Sequence, residues 1–269
     1  MEANPAGVAL VTGGAKRIGR AIALALAGAG WDIAVHYGRS AAEAGEAVRA
    51  IEALGRRAAA LDCDLADAAA VRALPARCAR ALGPLACVVN NASLFEYDAA
   101  PGFDPALLAR AMAINVAAPV LLAQALAEQL PAGRTGVVIN LLDQKLFNPN
   151  PDFLSYTLSK SALLEATRLL ARALAPRLRV IGVAPGITLT SGSQSDAGFL
   201  AAHRKTPLGR SSTPEDVAEA VLYAVRARAV TGTTLLVDGG QHLVPSDRDV
   251  MFLTETAAAA EAAAAGRPA

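Results

Sequence analysis

Three side chains capable of acid–base chemistry fall in one short stretch of the chain, between residues 143 and 160. Asp143 precedes Tyr156 by 13 residues, and Tyr156 precedes Lys160 by four. Residues four apart share one face of a helix, so the ammonium of Lys160 can lie beside the phenol of Tyr156 and tune its proton. An acid placed upstream changes what that phenol can do, which makes proton transfer the first candidate chemistry.

Asp143 and Lys160 act on the phenol in opposite directions. A neighbouring ammonium favours the tyrosinate, which removes a proton, whereas a neighbouring carboxylate favours the neutral phenol, which donates one. At about 4 Å and an effective dielectric near 20, each charge contributes on the order of 4 kcal/mol, so the two effects largely cancel. This balance predicts a pKa for Tyr156 near its ordinary value of about 10 and a proton donor at neutral pH. The alternative is that Asp143 is a solvated loop acid at a coincidental spacing.

Short apolar runs alternate with longer segments of helical period, and these elements must position the three residues. Seven strands separated by helices predict an α/β fold, a doubly wound parallel sheet with helices on both faces. The predicted strands are 8–12, 32–36, 57–61, 86–90, 137–142, 179–184 and 233–237. The predicted helices are 18–30, 41–54, 67–82, 105–130, 155–174 and 214–226, the last with Thr213 as N-cap and Pro214 at its first position.

The Gly-rich turn from Thr12 to Gly19 follows the first strand and opens the first helix. Its small residues stand where a pyrophosphate approaches backbone N–H groups and a helix N-terminus. This context predicts a dinucleotide site, and the alternative is an ordinary Gly-rich turn. The second strand ends in His36-Tyr37-Gly38-Arg39-Ser40, without the acid that usually holds the 2′-hydroxyl of NAD. Arg39, Ser40 and Arg17 can instead bind a 2′-phosphate, which predicts NADP(H), unless Arg39 is only a solvated surface residue.

Two further strand ends carry polar residues. Asp64 and Leu65 follow the third strand, where a carboxylate can accept from an adenine amino group. Asn91, Ala92 and Ser93 follow the fourth, where flat amides and small side chains let a ribose pack against the backbone. Each cluster alone is typical of turn chemistry, but the carboxyl ends of parallel strands line a single crevice.

These motifs together resemble the short-chain dehydrogenase/reductase family across residues 8–243. The resemblance rests on the Gly-rich turn, Asn90-Asn91-Ala92, Asn115, Tyr156-x-x-x-Lys160, Pro185-Gly186 and Val237-Asp-Gly-Gly240. It implies a Rossmann-type domain, a nicotinamide cofactor, a catalytic Tyr and Lys, an Asn that bends a helix and holds a relay water, and a homotetramer. The implied catalytic residues are Asp143, Tyr156, Lys160 and Asn115. The implied cofactor-binding residues are Gly13, Arg17, Ile18, Gly19, His36, Tyr37, Arg39, Ser40, Asp64, Leu65, Asn91, Ala92, Ser93, Tyr156, Lys160, Pro185, Gly186 and Thr188.

Two departures from the general family pattern are informative. Arg17 replaces a glycine of the turn, and Asp143 replaces a serine. Both departures are similar to the pteridine reductase subgroup, which includes bacterial dihydromonapterin reductases. That resemblance implies Phe95 stacked on a pterin ring and a substrate site formed by Arg17, Ser93, Phe95, Asp143 and Tyr156. Phe95 as plain core or rim, and Asn115 as a plain helix-bending residue, are the alternatives.

The predicted function is an NADPH-dependent reductase that adds hydride to a C=N bond of a pteridine-type substrate. The phenol supplies the proton that the ring nitrogen needs. The rival enzyme is a carbonyl reductase of the same family, acting on a 3-oxoacyl thioester or another ketone. A rival outside enzymes is an NADP-sensing regulator that keeps the fold without catalysis.

The bulk composition supports a small-molecule partner. The 269 residues are 54% hydrophobic with a net charge of +1. This composition gives no excess of positive charge of the kind that binds nucleic acid or an anionic membrane. Three cysteines without metal-ligand spacing predict buried, reduced thiols and no metal site. No secretory signal is recognisable, which predicts a cytoplasmic protein.

The predicted domain covers 8–244, flanked by an extension at 1–7 and a C-terminal extension with an Ala-rich tail at 245–269. The polar segment 189–204 predicts a mobile lid.

Overall fold

The computed structural model describes residues 7–190, 195–250 and 252. Seven strands form one sheet in the order β3-β2-β1-β4-β5-β6-β7, and all six neighbouring pairs are parallel. The strands are β1 Gly7–Val11, β2 Trp31–Tyr37, β3 Ala58–Asp62, β4 Leu85–Asn90, β5 Gly136–Leu141, β6 Leu178–Pro185 and β7 Thr234–Val237. The predicted fold class is confirmed. Because the strand order reverses between β1 and β4, a crevice opens at their carboxyl ends.

Helices cover both faces of the sheet. They are α1 Arg17–Gly28, α2 Ala41–Ala53, α3 Ala68–Leu82, α4 Pro105–Met112, α5 Ala118–Gln129, α6 Leu154–Ala173, α7 Asp196–Arg204 and α8 Pro214–Arg226. Two core layers result, because alternate residues of β1 point to opposite faces. Ala9 and Val11 pack in the layer with Ile22 of α1, whereas Leu10 packs in the other layer with Leu122 of α5.

The predicted helix 105–130 is wrong in one respect, because a π-helical turn, Ala113–Ala117, separates α4 from α5. The apolar segment Pro105–Gln129 is long enough to cross a membrane by length and composition alone. It packs instead as a core element, with Leu122 and Leu126 fully buried against the sheet.

The predicted lid 189–204 contains a helix that the sequence reasoning did not foresee. The side chain of Ser195 caps α7 by accepting from the N–H of Gly198 at 3.0 Å. Residues 191–194 of that segment, like residues 1–6 and the Ala-rich tail, lie outside the described residues.

The three cysteines are free and buried, as predicted. Burial raises the pKa of Cys78 and of Cys87 to about 12, which keeps both thiols protonated.

Candidate active site

A cavity of about 490 Å³ opens at the carboxyl ends of β1, β4, β5 and β6. It brings together most of the residues predicted from sequence: Gly13, Arg17, Ile18, Gly19, Asn91, Ala92, Ser93, Phe95, Asp143, Tyr156, Lys160, Pro185, Gly186 and Thr188. The cavity therefore joins the Gly-rich turn at one end to the acid–base residues at the other.

The Gly-rich turn has a shape that side chains would disturb. Gly13 has a φ of +61°, and a Cβ on Gly19 would lie 2.2 Å from the carbonyl oxygen of Gly13. The backbone can thus come close to a ligand, as a pyrophosphate at a helix N-terminus requires. The turn fits the phosphates of a dinucleotide. Arg17 occupies the position of the missing glycine with a φ of +55°, a left-handed conformation that is strained for a side chain of its size.

The side chains of Asn91 and His36 form hydrogen bonds with the backbone of this turn. The Asn91 amide donates to the carbonyl oxygens of Thr12 at 2.9 Å and Gly13 at 3.3 Å. The Gly13 N–H donates to Nδ1 of His36 at 3.0 Å, and Nε2 lies 3.0 Å from the carbonyl oxygen of Cys63, so the ring is the neutral Nε2–H tautomer. Burial lowers the pKa of His36 and keeps it neutral. His36, predicted as a cofactor contact, is buried and can act on a cofactor only through the turn.

The remaining predicted cofactor residues lie at the ends of β2 and β3, outside the cavity: Tyr37, Arg39, Ser40, Asp64 and Leu65. Arg39 is exposed, and an Asp64 oxygen accepts from the N–H of Ala66 at 2.9 Å while Leu65 is buried. Their position suits the adenosine end of a dinucleotide, and the exposure of Arg39 is equally compatible with a solvated surface residue.

Tyr156, which is buried, and Asp143, which is partly buried, form a hydrogen-bonded pair. The Tyr156 hydroxyl donates to Oδ2 of Asp143 at 2.8 Å, and Oδ1 accepts from the Lys145 N–H at 2.8 Å. Asp143 is therefore not a solvated loop acid. Lys160 donates to the Leu141 carbonyl oxygen at 2.6 Å, with its ammonium 5.7 Å from the centre of the Tyr156 ring.

Burial, rather than a balance of neighbouring charges, sets the proton affinities here. Burial raises the pKa of Tyr156 well above its ordinary value, and the charge and hydrogen bond of Asp143 raise it further. Burial also raises the pKa of Asp143 and lowers that of Lys160 to about 8. The expectation of a phenol pKa near 10 is therefore wrong, because it ignored desolvation. The resulting phenol is protonated at neutral pH, so the predicted donor role gains support.

Asn115 lies in the π-helical turn and ties three elements together. Its Oδ1 accepts from the Leu94 N–H at 2.8 Å and from the Ser93 hydroxyl at 3.2 Å. Its amide donates to the Leu94 carbonyl oxygen at 3.0 Å and to the Ser159 hydroxyl at 2.9 Å. The carboxamide thus positions the loop after β4 against α6, and Asn115 acts here as a positioning residue.

Phe95 belongs to an aromatic cluster beside the phenol. Its ring stacks on Phe153 with centres 4.3 Å apart and meets the Tyr156 ring edge-on at 4.7 Å. Phe95 nevertheless remains 43% exposed and lines the cavity. A flat ring entering the cavity would therefore meet an aromatic side chain that is already held in place.

The loop after β6 closes another side of the cavity. The Arg17 guanidinium donates to the Thr190 carbonyl oxygen at 2.8 Å, which links the Gly-rich turn to this loop. The Thr188 hydroxyl bonds the carbonyl oxygen of Gly186 and the hydroxyl of Ser212.

Nine residues that line the cavity were not predicted as site residues: Lys16, Leu141, Leu142, Gln144, Ile187, Leu189, Gln241, Asp249 and Val250. Lys16 and Gln144 adjoin recognised motifs and could have been found from them. Asp249 and Val250 carried no signal, because they belong to a C-terminal segment with no motif. Among the residues that the structure describes, no group of three or more His, Cys, Asp or Glu could hold a metal ion.

The fold and the cavity define a Rossmann-type oxidoreductase in which a tyrosine hydroxyl lies in the same cavity as a turn that fits a dinucleotide. A family model described as "Enoyl-(Acyl carrier protein) reductase" matches residues 13–242. The chain belongs to the short-chain dehydrogenase/reductase family.

Several known proteins are similar to this chain over most of its length. The crystal structure of FolM alternative dihydrofolate reductase 1 from Brucella canis, complexed with NADP, is 41% identical, with a TM-score of 0.86 over 91% of this chain and 97% of that one. A short-chain dehydrogenase from Burkholderia cenocepacia in complex with NADP is 38% identical, with a TM-score of 0.80 over 86% and 96%. The 3-oxoacyl-[acyl-carrier-protein] reductase FabG of Staphylococcus aureus is 31% identical over 87% of this chain and 98% of its own length.

Proposed function

We propose that this oxidoreductase uses NADP(H) to reduce a C=N bond of a pteridine-type substrate, converting a dihydropterin to a tetrahydropterin. The observation that carries the proposal is the partly buried hydrogen bond between Tyr156 and Asp143 in the cavity. A ring nitrogen needs a proton as the adjacent carbon receives hydride, and a phenol held neutral by burial and by a carboxylate supplies one.

The proposed step balances in protons and electrons. When bound, NADPH would supply the hydride that the carbon of the C=N bond receives. Tyr156 donates its proton to the nitrogen of that bond, and a proton taken up from solvent passes through Asp143 to restore the phenol. Asp143 suits this second role because burial raises its pKa. Lys160 lies between the phenol and the carboxyl end of β5, where its ammonium can hold the nicotinamide ribose.

Other contacts support the substrate class. Phe95 offers a fixed aromatic surface to a flat bicyclic ring, and Arg17 brings a guanidinium to the same cavity. The likeness to the FolM structures with NADP points the same way.

The direct test follows NADPH oxidation with dihydrobiopterin, dihydromonapterin and dihydrofolate. Turnover of at least one is the expected result. No turnover with any of them would reject the substrate class and leave the family standing.

A second candidate is reduction of a ketone, as in a 3-oxoacyl thioester. It is favoured by the likeness to the Staphylococcus aureus 3-oxoacyl reductases. Replacing Asp143 by Ser separates the two candidates. Improved ketone reduction with little change in pterin reduction would favour the carbonyl reductase, whereas loss of pterin reduction without any gain would favour the pterin reductase.

We also propose that the protein is a homotetramer, as its family implies. Leu158 and Leu169 on α6 are large apolar side chains that are 45% and 61% exposed, which suits an interface. Light scattering on the purified protein tests this. A cytoplasmic location and the lack of nucleic-acid and membrane partners stay predictions.

A further inference from the structure

The C-terminal segment made of residues 245–250 and 252 contributes Asp249 and Val250 to the wall of the cavity. One carboxylate anchors the segment. Asp152, whose side chain is 3% exposed, accepts from Nε and Nη2 of Arg248, both at 2.8 Å, and from the Asp249 N–H at 2.7 Å. A two-pronged arginine–carboxylate contact fixes direction as well as distance, so the backbone at Arg248 and Asp249 is held in place.

Lys145 provides a second tie between this segment and the acid–base pair. Its ammonium lies 3.3 Å from Oδ2 of Asp249 and donates to the Asp152 carbonyl oxygen at 2.6 Å. Its backbone N–H donates to Asp143. Lys145 itself is buried and, within the described chain, is not part of the cavity lining. Asp249 therefore lines the cavity while its carboxylate is paired with an ammonium outside the lining.

Aromatic packing holds the end of the segment. Phe252 lies over Phe153, with ring centres 6.1 Å apart, and meets the Tyr97 ring edge-on at 5.5 Å. Phe153 also stacks on Phe95. The segment and the proposed ring platform thus share one cluster.

The two ends of the cavity differ in charge. The turn end carries Lys16 and Arg17, which suits the phosphates of a dinucleotide, whereas the other end carries the two acids Asp143 and Asp249 with one cation, Lys160. Asp249 is close enough that its charge contributes to the raised pKa of both Asp143 and Tyr156.

We propose that Asp249 determines substrate specificity by binding a hydroxylated substituent on the pterin ring and by repelling substituents that carry carboxylates. This rests on the proposed function. In a 6-substituted 7,8-dihydropterin the carbon that receives the hydride also bears the substituent. If the nitrogen of the C=N bond lies at Tyr156, the first atoms of the substituent lie near Asp143. Asp249 lies in that same region of the cavity. A carboxylate can accept hydrogen bonds from two hydroxyls of the substituent. It repels the glutamate tail of a folate, because that tail is also negatively charged.

The test compares Asp249→Asn with the wild type, using dihydrobiopterin and dihydrofolate as substrates. We expect KM for dihydrobiopterin to rise about tenfold, as loss of a charged hydrogen-bond acceptor predicts, with kcat changed less than about twofold. The preference for dihydrobiopterin over dihydrofolate, measured as the ratio of kcat/KM values, should fall by about tenfold or more. Fluorescence titration of the NADP⁺ complex with biopterin should show the same loss of affinity without any turnover.

Asp247→Asn is the matched control, because Asp247 is an exposed acid of the same segment outside the cavity lining. It should behave as wild type. An unchanged substrate ratio in Asp249→Asn overturns the proposal, as does an equal loss on both substrates accompanied by a lower melting temperature. If the wild type reduces neither pterin, the proposed function fails as well, so the two failures are distinguishable.

Discussion

The Tyr156 hydroxyl is the donor in a 2.8 Å hydrogen bond to Asp143, within a site where burial favours the protonated form of both groups. Each group can therefore carry a proton toward the cavity. A tyrosine activated as a base would need the opposite environment.

Replacing Tyr156 by Phe removes the proton donor while keeping the ring that packs edge-on against Phe95. We expect kcat to fall by about 10²- to 10⁴-fold, the usual contribution of a positioned acid, with NADPH affinity little changed. Stopped-flow turnover and fluorescence titration with NADPH measure the two effects. Full activity in this variant would contradict the assignment of Tyr156 as the proton donor, whereas absence of turnover in the wild type would favour an NADP-sensing regulator.

The pH profile should report Lys160. Burial lowers its pKa to about 8, so the ammonium is present below that pH and is lost as the pH rises through it. We expect kcat/KM to fall on the alkaline side with an apparent pKa of about 8. Lys160→Arg, which stays charged, should be slower but lack this fall. A flat wild-type profile up to pH 10 would contradict the assignment, since the ordinary pKa of lysine is about 10.4.

Lowering the pH should reduce the free energy of unfolding through the protonation of His36. Because burial lowers the pKa of His36 in the folded state, the unfolded chain binds its proton first as the pH falls. Stability is therefore full above the unfolded pKa of about 6.5 and declines below it, until the folded form also titrates. Urea unfolding between pH 5 and 8 measures the slope. His36→Asn should remove that part of the pH dependence, and an equal slope in both proteins would contradict it.

Gly19→Ala should abolish cofactor binding. The new Cβ would fall 2.2 Å from the Gly13 carbonyl oxygen and 2.5 Å from Nδ2 of Asn91, so the turn must deform. Gly28→Ala is the control, because a Cβ there meets nothing within 4 Å and lies in the same helix. It should be neutral or stabilise by about 0.4–1 kcal/mol. Isothermal titration with NADPH and thermal melts distinguish the two variants.

Arg39→Glu tests the cofactor preference. If Arg39 binds the 2′-phosphate, the KM for NADPH should rise by about 10- to 100-fold, the range expected for a lost charge-assisted bond. The KM for NADH should change little. Arg49, exposed on α2, provides the control substitution Arg49→Glu. Equal effects of the two variants would identify Arg39 as a solvated surface residue.

The fold was largely predictable because local patterns agreed with the final packing. The start of α8 shows this well, since Thr213 accepts from the Asp216 N–H while the Asp216 side chain accepts from the Thr213 N–H. In α7 the signals were present but weaker. Ser195 provides a cap, but Gly198 in the first turn lowers helix propensity and hides the pattern.

The site was predictable only where chemistry follows a motif. Gly13, Tyr156 and Lys160 belong to such motifs, and the cavity includes all three. The partly buried position of Asp143 and the presence of Asp249 in the cavity wall depend on contacts between residues far apart in the chain. Local spacing in the sequence does not encode such contacts. His36 shows the reverse case, because a polar residue at a strand end looked like a ligand contact and proved to support the turn.

The π-helical turn also explains how one segment can serve both the core and the site. Leu107, Ala111, Asn115 and Pro119 are all buried, at intervals of four residues. A regular α-helix has about 3.6 residues per turn, so a line of such positions would drift around its surface. The wider i→i+5 turn takes up the surplus and brings the two halves back into phase. Deleting a single residue from this turn would rotate α5 by about 100° relative to α4. Asn115 could then not face Leu94 and Ser159 at the same time as Leu122 faces the sheet.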